Sequence, residues 1–261
     1  MYAFEIERPT TLDAAKAAIA AGGQALSGGQ TLIPTLKARL ADPEKLVSLH
    51  NIPELKGIST DSEGRICIKG ATVHRAVAEG ALGYPALASL AARIGDPAVR
   101  TRGTIGGSLA NNDPSACYPA GVLASGAVIV TDRREIAADD YFQGMFDTAL
   151  DEGEIITEVK FPVPQVACYE KFIQPASRFP LVAVFVAKFA EGVRVAITGA
   201  SGEGVFRWAE AEAALSANFT PEALDGVAMD EGPMIADLHG DKAYRAHLCG
   251  VMAKRAVKNA K

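Results

Sequence analysis

Arg100-Thr-Arg-Gly-Thr-Ile-Gly-Gly-Ser-Leu-Ala-Asn-Asn-Asp-Pro114 is the stretch of the chain that bears most directly on its fold. It is rich in glycine and small polar residues, which predicts a long loop, and loops of that length in compact domains are usually functional. Its centre, Thr104 to Ser108, places two glycines between two hydroxyl side chains. Without Cβ atoms in the way, backbone N–H groups can approach a phosphate closely. A flexible connector has the same composition, so this segment alone leaves both interpretations open.

A second glycine pair, Ser27-Gly28-Gly29-Gln30-Thr31, lies much earlier in the chain. It follows a predicted strand, Ala25 to Ser27, and precedes a predicted helix, Leu32 to Leu40. A helix N-terminus carries partial positive charge and favours phosphate groups. A plain strand-to-helix turn is the alternative for a lone glycine pair. Two such loops in one chain favour a dinucleotide, because its pyrophosphate can be held from two sides.

Periodicity around these loops predicts an α+β chain with two parts. Tyr2 to Ile6 and Glu154 to Phe161 alternate apolar and polar residues, as half-buried strands do. Pro162-Val163-Pro164 then resembles a linker. Beyond it, Val182 to Phe189 and Val193 to Thr198 predict a hairpin, and helices are predicted further on. We therefore place a domain boundary near residue 164.

The composition excludes several classes of protein. The chain has 261 residues with 49% hydrophobic residues and a formal net charge of −5, which is typical of a globular protein without a basic nucleic-acid-binding surface. Its longest apolar run, Leu181 to Ala187, is far too short to span a bilayer. The cysteines Cys67, Cys117, Cys168 and Cys249 are widely spaced and form neither a disulfide framework nor a metal site. We expect a cytoplasmic protein with no bound metal.

Common nucleotide and catalytic motifs are absent. The sequence has no G-x-x-x-x-G-K-[ST] for a P-loop and no G-x-G-x-x-G after a strand for a Rossmann site. The four histidines are isolated from one another. We therefore predict no catalytic acid, base or nucleophile on this chain.

Six segments resemble the signature segments of the FAD-binding medium subunit of molybdenum hydroxylases, the xanthine dehydrogenase and carbon monoxide dehydrogenase family. The resemblance covers essentially the whole chain, and Arg-Gly-Thr-Ile-Gly-Gly is its most specific part. The segments are Ala25-Leu-Ser-Gly-Gly-Gln-Thr-Leu-Ile-Pro34, Ile94-Gly-Asp-Pro-Ala-Val-Arg100, Arg102-Gly-Thr-Ile-Gly-Gly-Ser-Leu-Ala110, Asn112-Asp-Pro114, Gly153-Glu-Ile-Ile156 and Tyr169-Glu-Lys-Phe172.

The resemblance implies a two-lobed FAD-binding domain of the vanillyl-alcohol oxidase (PCMH) type over residues 1–164, with lobes at about 1–55 and 56–164. It implies a smaller α/β C-terminal domain, an antiparallel sheet with helices, over residues 165–261. FAD is the implied cofactor. The implied cofactor-binding residues are Leu26, Ser27, Gly28, Gly29, Gln30, Thr31, Leu32, Ile94, Gly95, Thr104, Ile105, Gly106, Gly107, Ser108, Cys117, Ile156 and Lys171.

Cys117 and Lys171 differ in character from the other implied cofactor-binding residues. Members of the family usually carry Asp or Glu in contact with FAD at the position of Cys117, and a thiol cannot accept hydrogen bonds as a carboxylate does. Lys171 matches a residue near the flavin ring, where a cation would stabilise the anionic reduced flavin. Without the resemblance, Lys171 would be interpreted as a surface lysine on a strand.

The implied function is electron transfer within a complex. A large molybdopterin subunit would hydroxylate the substrate, and a small subunit with two [2Fe–2S] clusters would pass electrons to the FAD of this chain. The FAD would deliver them to NAD or a quinone-type acceptor, in an assembly expected to be a dimer of heterotrimers. Two alternatives remain open: a stand-alone FAD reductase of the same fold, and an assembly or interaction subunit that has lost the cofactor.

Overall fold

The structure, a computed structural model, describes residues 1–261. The first lobe is a small parallel sheet covered by helices, and its strands follow the order β1-β3-β2. Thr11 caps the first helix by accepting a hydrogen bond from the N–H of Ala14, and Ala15 and Ala18 pack with Val47 in the core of this lobe. The elements are β1 (Glu5–Glu7), α1 (Leu12–Ala20), β2 (Gln24–Leu26), α2 (Leu32–Lys37) and β3 (Lys45–Ser48).

Two short 3-10 turns, Leu49–Asn51 and Pro53–Leu55, lead into the second lobe. This lobe is built on an antiparallel sheet with the strand order β4-β5-β10-β6-β7. Its elements are β4 (Ile58–Thr60), β5 (Ile66–Lys69), α3 (His74–Gly80), α4 (Pro85–Ala92), α5 (Pro97–Arg100), α6 (Ile105–Asn111), α7 (Tyr118–Ser125), β6 (Val128–Thr131), β7 (Glu135–Ala137), α8 (Ala138–Tyr141), β8 (Phe142–Gly144), β9 (Asp147–Thr148) and β10 (Ile156–Phe161).

The prediction that residues 100–114 form one long loop is wrong. The glycine-rich segment is the first turn of α6, which Thr104 caps by accepting a hydrogen bond from the N–H of Gly107. Ile105 and Leu109, one helical turn apart, are fully buried and anchor the helix in the core. The helix could not be predicted because glycine has a low helix propensity. It forms because tertiary packing outweighs that propensity.

The C-terminal part is an antiparallel sheet, in the order β11-β12-β13-β14, covered by helices. The hairpin predicted between residues 182 and 198 is confirmed as β12 and β13. A 3-10 helix of four residues, Pro221–Leu224, lies between the two helices of this part. The elements are β11 (Val166–Ile173), β12 (Pro180–Phe189), β13 (Gly192–Thr198), β14 (Phe206–Arg207), α9 (Ala209–Ala217) and α10 (Lys242–Asn259).

Strand β12 is buried on both faces and joins the two largest hydrophobic cores. Ala183 and Phe185 pack in the core of the second lobe, whereas Val182 and Val184 pack in the core beneath α9 and α10. A strand buried on both sides has a continuous apolar sequence, which explains the run that begins at Leu181. The chain is α+β, as predicted. None of its helices combines the length and apolar character needed to cross a membrane.

Candidate functional site

A cleft of about 660 Å³ runs between the two N-terminal lobes. That volume is in the range of small-molecule and cofactor sites. Its walls bring the two glycine pairs together, although they are far apart in the sequence. Predicted site residues in the walls are Leu26, Ser27, Gly28, Gly29, Gln30, Thr31, Leu32, Thr104, Gly106, Gly107, Ser108 and Ile156.

The first loop presents unpaired backbone donors to this cleft. The backbone N–H groups from Ser27 to Thr31 donate to no acceptor within the chain. The loop lies between the end of β2 and the start of α2, where the helix dipole adds partial positive charge. Successive free N–H groups at such a place form a concave site for an anion.

Glycine is required in this loop for two different reasons. A Cβ on Gly28 would lie 2.3 Å from the carbonyl oxygen of Arg102, so the first loop packs directly against the backbone that leads into α6. Gly29 has a φ of +69°, a left-handed conformation that side chains with a Cβ rarely adopt. The loop shape therefore depends on both glycines.

The second loop plays a different part, because its N–H groups are already occupied. The N–H of Gly106 donates to the carbonyl of Gly70 at 2.9 Å, and that of Gly107 donates to the hydroxyl of Thr104 at 3.1 Å. A Cβ on Gly106 would lie 2.6 Å from the same Gly70 carbonyl. Gly106 thus lets α6 pack against the β5 end of the second lobe, and the first turn of α6 forms a wall of the cleft.

One side-chain hydrogen bond ties the two loops together. The hydroxyl oxygens of Ser27 and Thr104 lie 2.7 Å apart. Because Thr104 also caps α6, the same hydroxyl fixes the start of the helix and the position of the first loop.

The other predicted site residues, Ile94, Gly95, Ile105, Cys117 and Lys171, do not line the cleft. Ile105 is fully buried beneath α6. Lys171 is not a surface lysine but is 6% exposed. Its Nζ donates to the carbonyl of Arg93 at 2.9 Å and to the Sγ of Cys117 at 3.5 Å. Burial lowers the pKa of Lys171, and the neighbouring Cys117 opposes that effect.

Sequence reasoning missed several residues that shape the cleft. His74 lines it, and a Cβ on Gly103 would lie 2.5 Å from the His74 Nε2 atom. Burial is the main cause that lowers the pKa of His74 to about 4, and the positive charge of Arg100 lowers it further. The ring is therefore neutral at pH 7. Asp113 and Ser115 also line the cleft, just after α6. The polar segment around Asp113 was the only sequence signal for these residues.

Glu154 is a cleft-lining carboxylate held by a complete set of donors. It accepts hydrogen bonds from the hydroxyl of Thr131 at 2.6 Å, from the guanidinium of Arg134 and from the N–H of Asp151. Burial alone would raise its pKa, but these hydrogen bonds bring the pKa of Glu154 down to about 2. Its role is to fix the segment that leads into Ile156 at the cleft wall.

One observation in particular indicates that the cleft suits a dinucleotide of the FAD type. The residues from Ser27 to Thr31, whose N–H groups are unpaired, line a cleft whose walls carry hydroxyl and carboxylate groups but no lysine or arginine. Such a site neutralises phosphate through backbone dipoles and leaves room for the rest of the molecule.

Comparison with known proteins agrees with this geometry. The family model described as the FAD binding domain in molybdopterin dehydrogenase matches residues 2–164. The carbon monoxide dehydrogenase medium chain of Hydrogenophaga pseudoflava is 32% identical, with 98% of this chain and 96% of that protein aligned. The nicotine 6-hydroxylase medium subunit of Paenarthrobacter nicotinovorans is 32% identical over 90% of this chain and 88% of that protein.

Solved structures show the same architecture. A carbon monoxide dehydrogenase structure from Hydrogenophaga pseudoflava superposes with a TM-score of 0.88 at 32% identity, covering 98% of this chain and 96% of that one. Quinoline 2-oxidoreductase from Pseudomonas putida 86 superposes with a TM-score of 0.87 at 25% identity, covering 98% and 96%.

Proposed function

The chain belongs to the family of FAD-binding medium subunits of molybdenum hydroxylases, and from that premise we propose that it relays electrons within such a complex. FAD supplies the redox chemistry when bound. The observation that carries the proposal is the array of free N–H groups from Ser27 to Thr31, set against the capped start of α6.

We assign the pyrophosphate to the first loop. Its N–H groups can donate to phosphate oxygens without losing any bond within the protein, since none of them is paired. The Ser27 hydroxyl is held by Thr104 and keeps the loop at a fixed distance from α6. Gly107, whose Cβ position lies 3.0 Å from the Thr104 hydroxyl, keeps the space between the two loops free.

We assign the residues that do not line the cleft to a supporting layer. Ile94, Gly95, Ile105, Cys117 and Lys171 would position the cleft walls from behind and contribute charge near the flavin end. The buried Lys171 supports this assignment because it is linked through Arg93 to the end of α4. A cation in that layer would be farther from the flavin ring than one in contact with it. Its electrostatic effect on the flavin would still be felt, because the protein interior screens charge poorly.

We propose that electrons reach this chain from the [2Fe–2S] clusters of a small partner subunit and leave to NAD or a quinone-type acceptor. A large molybdopterin subunit would carry the substrate site, in a cytoplasmic dimer of heterotrimers. The names of the relatives support the presence of partner subunits, because they are medium chains or medium subunits of dehydrogenases and of a hydroxylase. The division into residues 1–164 and 165–261 belongs to the same proposal; β10 ends at Phe161 and β11 begins at Val166.

Anaerobic rapid mixing of the purified complex tests this function. The complex is reduced with dithionite and mixed with NAD or a short-chain quinone, while the flavin and cluster absorbances are followed. We expect the flavin to be reoxidised by one of the two acceptors, with the clusters following.

The matched variants are Gly28→Val, which should block the first loop, and Gly250→Ala, whose added Cβ meets no atom within 4 Å. The Gly28 variant should lose FAD and electron delivery, and the Gly250 variant should retain both. Equal delivery from FAD-free complex would overturn the proposal. Substrate reduction by the isolated chain would favour the stand-alone reductase instead.

A further inference from the structure

Cys117 and Lys171 form a buried contact between a thiol and an amine. The Sγ atom lies 3.5 Å from Nζ, and the two residues are 5% and 6% exposed. Cys117 stands at the N-cap of α7, and Lys171 lies on β11. The contact therefore spans the junction between the second lobe and the C-terminal sheet.

The surroundings of this pair suit nucleophilic chemistry at both atoms. Cys117 stands at the N-terminal end of α7, and its Sγ accepts a hydrogen bond from the Lys171 Nζ. Burial lowers the pKa of Lys171. A larger fraction of its amine is therefore neutral and nucleophilic than in a surface lysine. The buried side chain of Tyr169 lies beside Cys117.

The other cysteines lack this arrangement. The Sγ of Cys67 contacts the carboxylate of Asp61, and that of Cys168 contacts the carboxylate of Glu170. Cys249 is fully buried and has no side-chain hydrogen bond to an amine. Cys117 is thus the one thiol of the chain in hydrogen-bond contact with a lysine.

We propose that Cys117 and Lys171 are a modification site that forms a reversible sulfur–nitrogen cross-link, a sulfenamide, when the protein meets hydrogen peroxide. The sulfur attacks one peroxide oxygen, the O–O bond breaks, and the thiol proton leaves with the departing hydroxide as water. The sulfur is then a sulfenic acid, oxidised by two electrons, and the peroxide has been reduced. Sulfenic acids condense with nearby nitrogen nucleophiles.

The second step closes the cross-link. The Lys171 amine attacks the sulfur, the S–O bond breaks, and the departing hydroxide takes one amine proton to form a second water. Thiol, amine and one peroxide thus give the S–N bond and two waters. The flexible four-carbon stem of lysine supplies the movement that brings the two atoms together.

The chain segment just before Cys117 borders the cleft between the lobes. Ser115 and Ala116, the two residues before Cys117, line the cleft between the lobes. Because Cys117 itself is 5% exposed, peroxide reaches the sulfur only when this segment opens locally. The cross-link would join α7 covalently to β11 and fix the relative position of the two parts. The chemistry requires peroxide but no bound cofactor, so it stands independently of the electron-relay function.

Mass spectrometry of the peroxide-treated full chain tests the proposal. The parent chain should lose two hydrogen atoms, about 2 Da, and a digest should contain one peptide pair joined through Cys117 and Lys171. Dithiothreitol should restore the original mass. Cys117 found with added oxygen but no link, or unmodified under conditions that oxidise the other thiols, would overturn the proposal.

Two variants distinguish the cross-link from a disulfide, which has the same mass change. Cys168→Ser removes the one thiol that lies on the same strand as Lys171, and it should leave the cross-link intact. Lys171→Arg keeps the positive charge but removes the reactive amine, so Cys117 should gain oxygen instead of losing hydrogen. Loss of two hydrogens in the Arg variant would identify a disulfide and refute the S–N bond.

Discussion

The hydrogen bond between Ser27 and Thr104 provides the sharpest test of how the two loops cooperate. Thr104→Val keeps the shape of the side chain but removes its hydroxyl. The change deletes the cap on α6, worth about 1 kcal/mol, and the bond to Ser27, worth about another 1 kcal/mol. We therefore expect the free energy of unfolding to fall by about 2 kcal/mol. Thr104→Ser retains both bonds and is the matched control.

The shared bond also makes a prediction about coupling. Ser27→Ala alone should cost about 1 kcal/mol, but in the Thr104→Val background it should cost little, since its partner is already gone. The coupling energy from the double-mutant cycle should be about 1 kcal/mol. Denaturant unfolding gives the stabilities, and flavin fluorescence gives FAD affinity, which should weaken about tenfold in Thr104→Val (1.4 kcal/mol for each factor of ten).

Strictly additive losses of stability in this cycle would refute the reasoning. They would mean that the Ser27 and Thr104 hydroxyls are bonded to solvent and not to each other. Unchanged FAD affinity in all the variants would show that the first loop holds its shape without the tether, so the free N–H groups would not depend on α6.

Three further predictions concern close packing and buried charge. Gly106→Val should destabilise the fold itself, because its Cβ position lies 2.6 Å from the Gly70 carbonyl; a normal melting temperature with simple loss of flavin would contradict this. Glu154→Gln should cost about 2 kcal/mol of stability at pH 7 by weakening its charge-assisted bonds. Because the folded pKa of Glu154 is depressed to about 2, its contribution is present above the unfolded pKa and should disappear as the pH falls from about 4.5 toward 2; a pH-independent difference between parent and variant would count against it. Arg245→Met should cost about 3 kcal/mol, since the guanidinium is 2% exposed and donates to two backbone carbonyls; a loss below about 1 kcal/mol would show that water replaces it.

The fold class could be predicted from the sequence, and so could the placement of the two glycine pairs in one site. The strand before Gly28 and the hairpin of β12 and β13 follow a clear periodicity and could be predicted. The second glycine pair lies in the first turn of α6, which the sequence predicts as a loop. The parallel pairing of β1 and β2 with β3 could not, because pairing depends on contacts between distant residues. For the same reason, the sequence did not indicate that His74 packs against Gly103.

The sequence alone could not distinguish the role of Gly28 from that of Gly106, and it could not show that Lys171 is buried. Gly28 and Gly106 look equivalent in a motif, yet one lies in a loop with free N–H groups and the other packs against Gly70. Lys171 alternates with apolar neighbours as a solvent-facing residue would. Its burial comes from α4 and α7, which pack over that face of the sheet.

Titration of the apoprotein with FAD and with FMN tests the central claim most directly. If the N–H groups from Ser27 to Thr31 hold a pyrophosphate and the cleft holds the nucleotide beyond it, FAD should bind at least about a hundredfold more tightly than FMN, or about 2.8 kcal/mol. ADP should compete with FAD at the same site. Equal affinity for FAD and FMN, with no competition by ADP, would contradict the account.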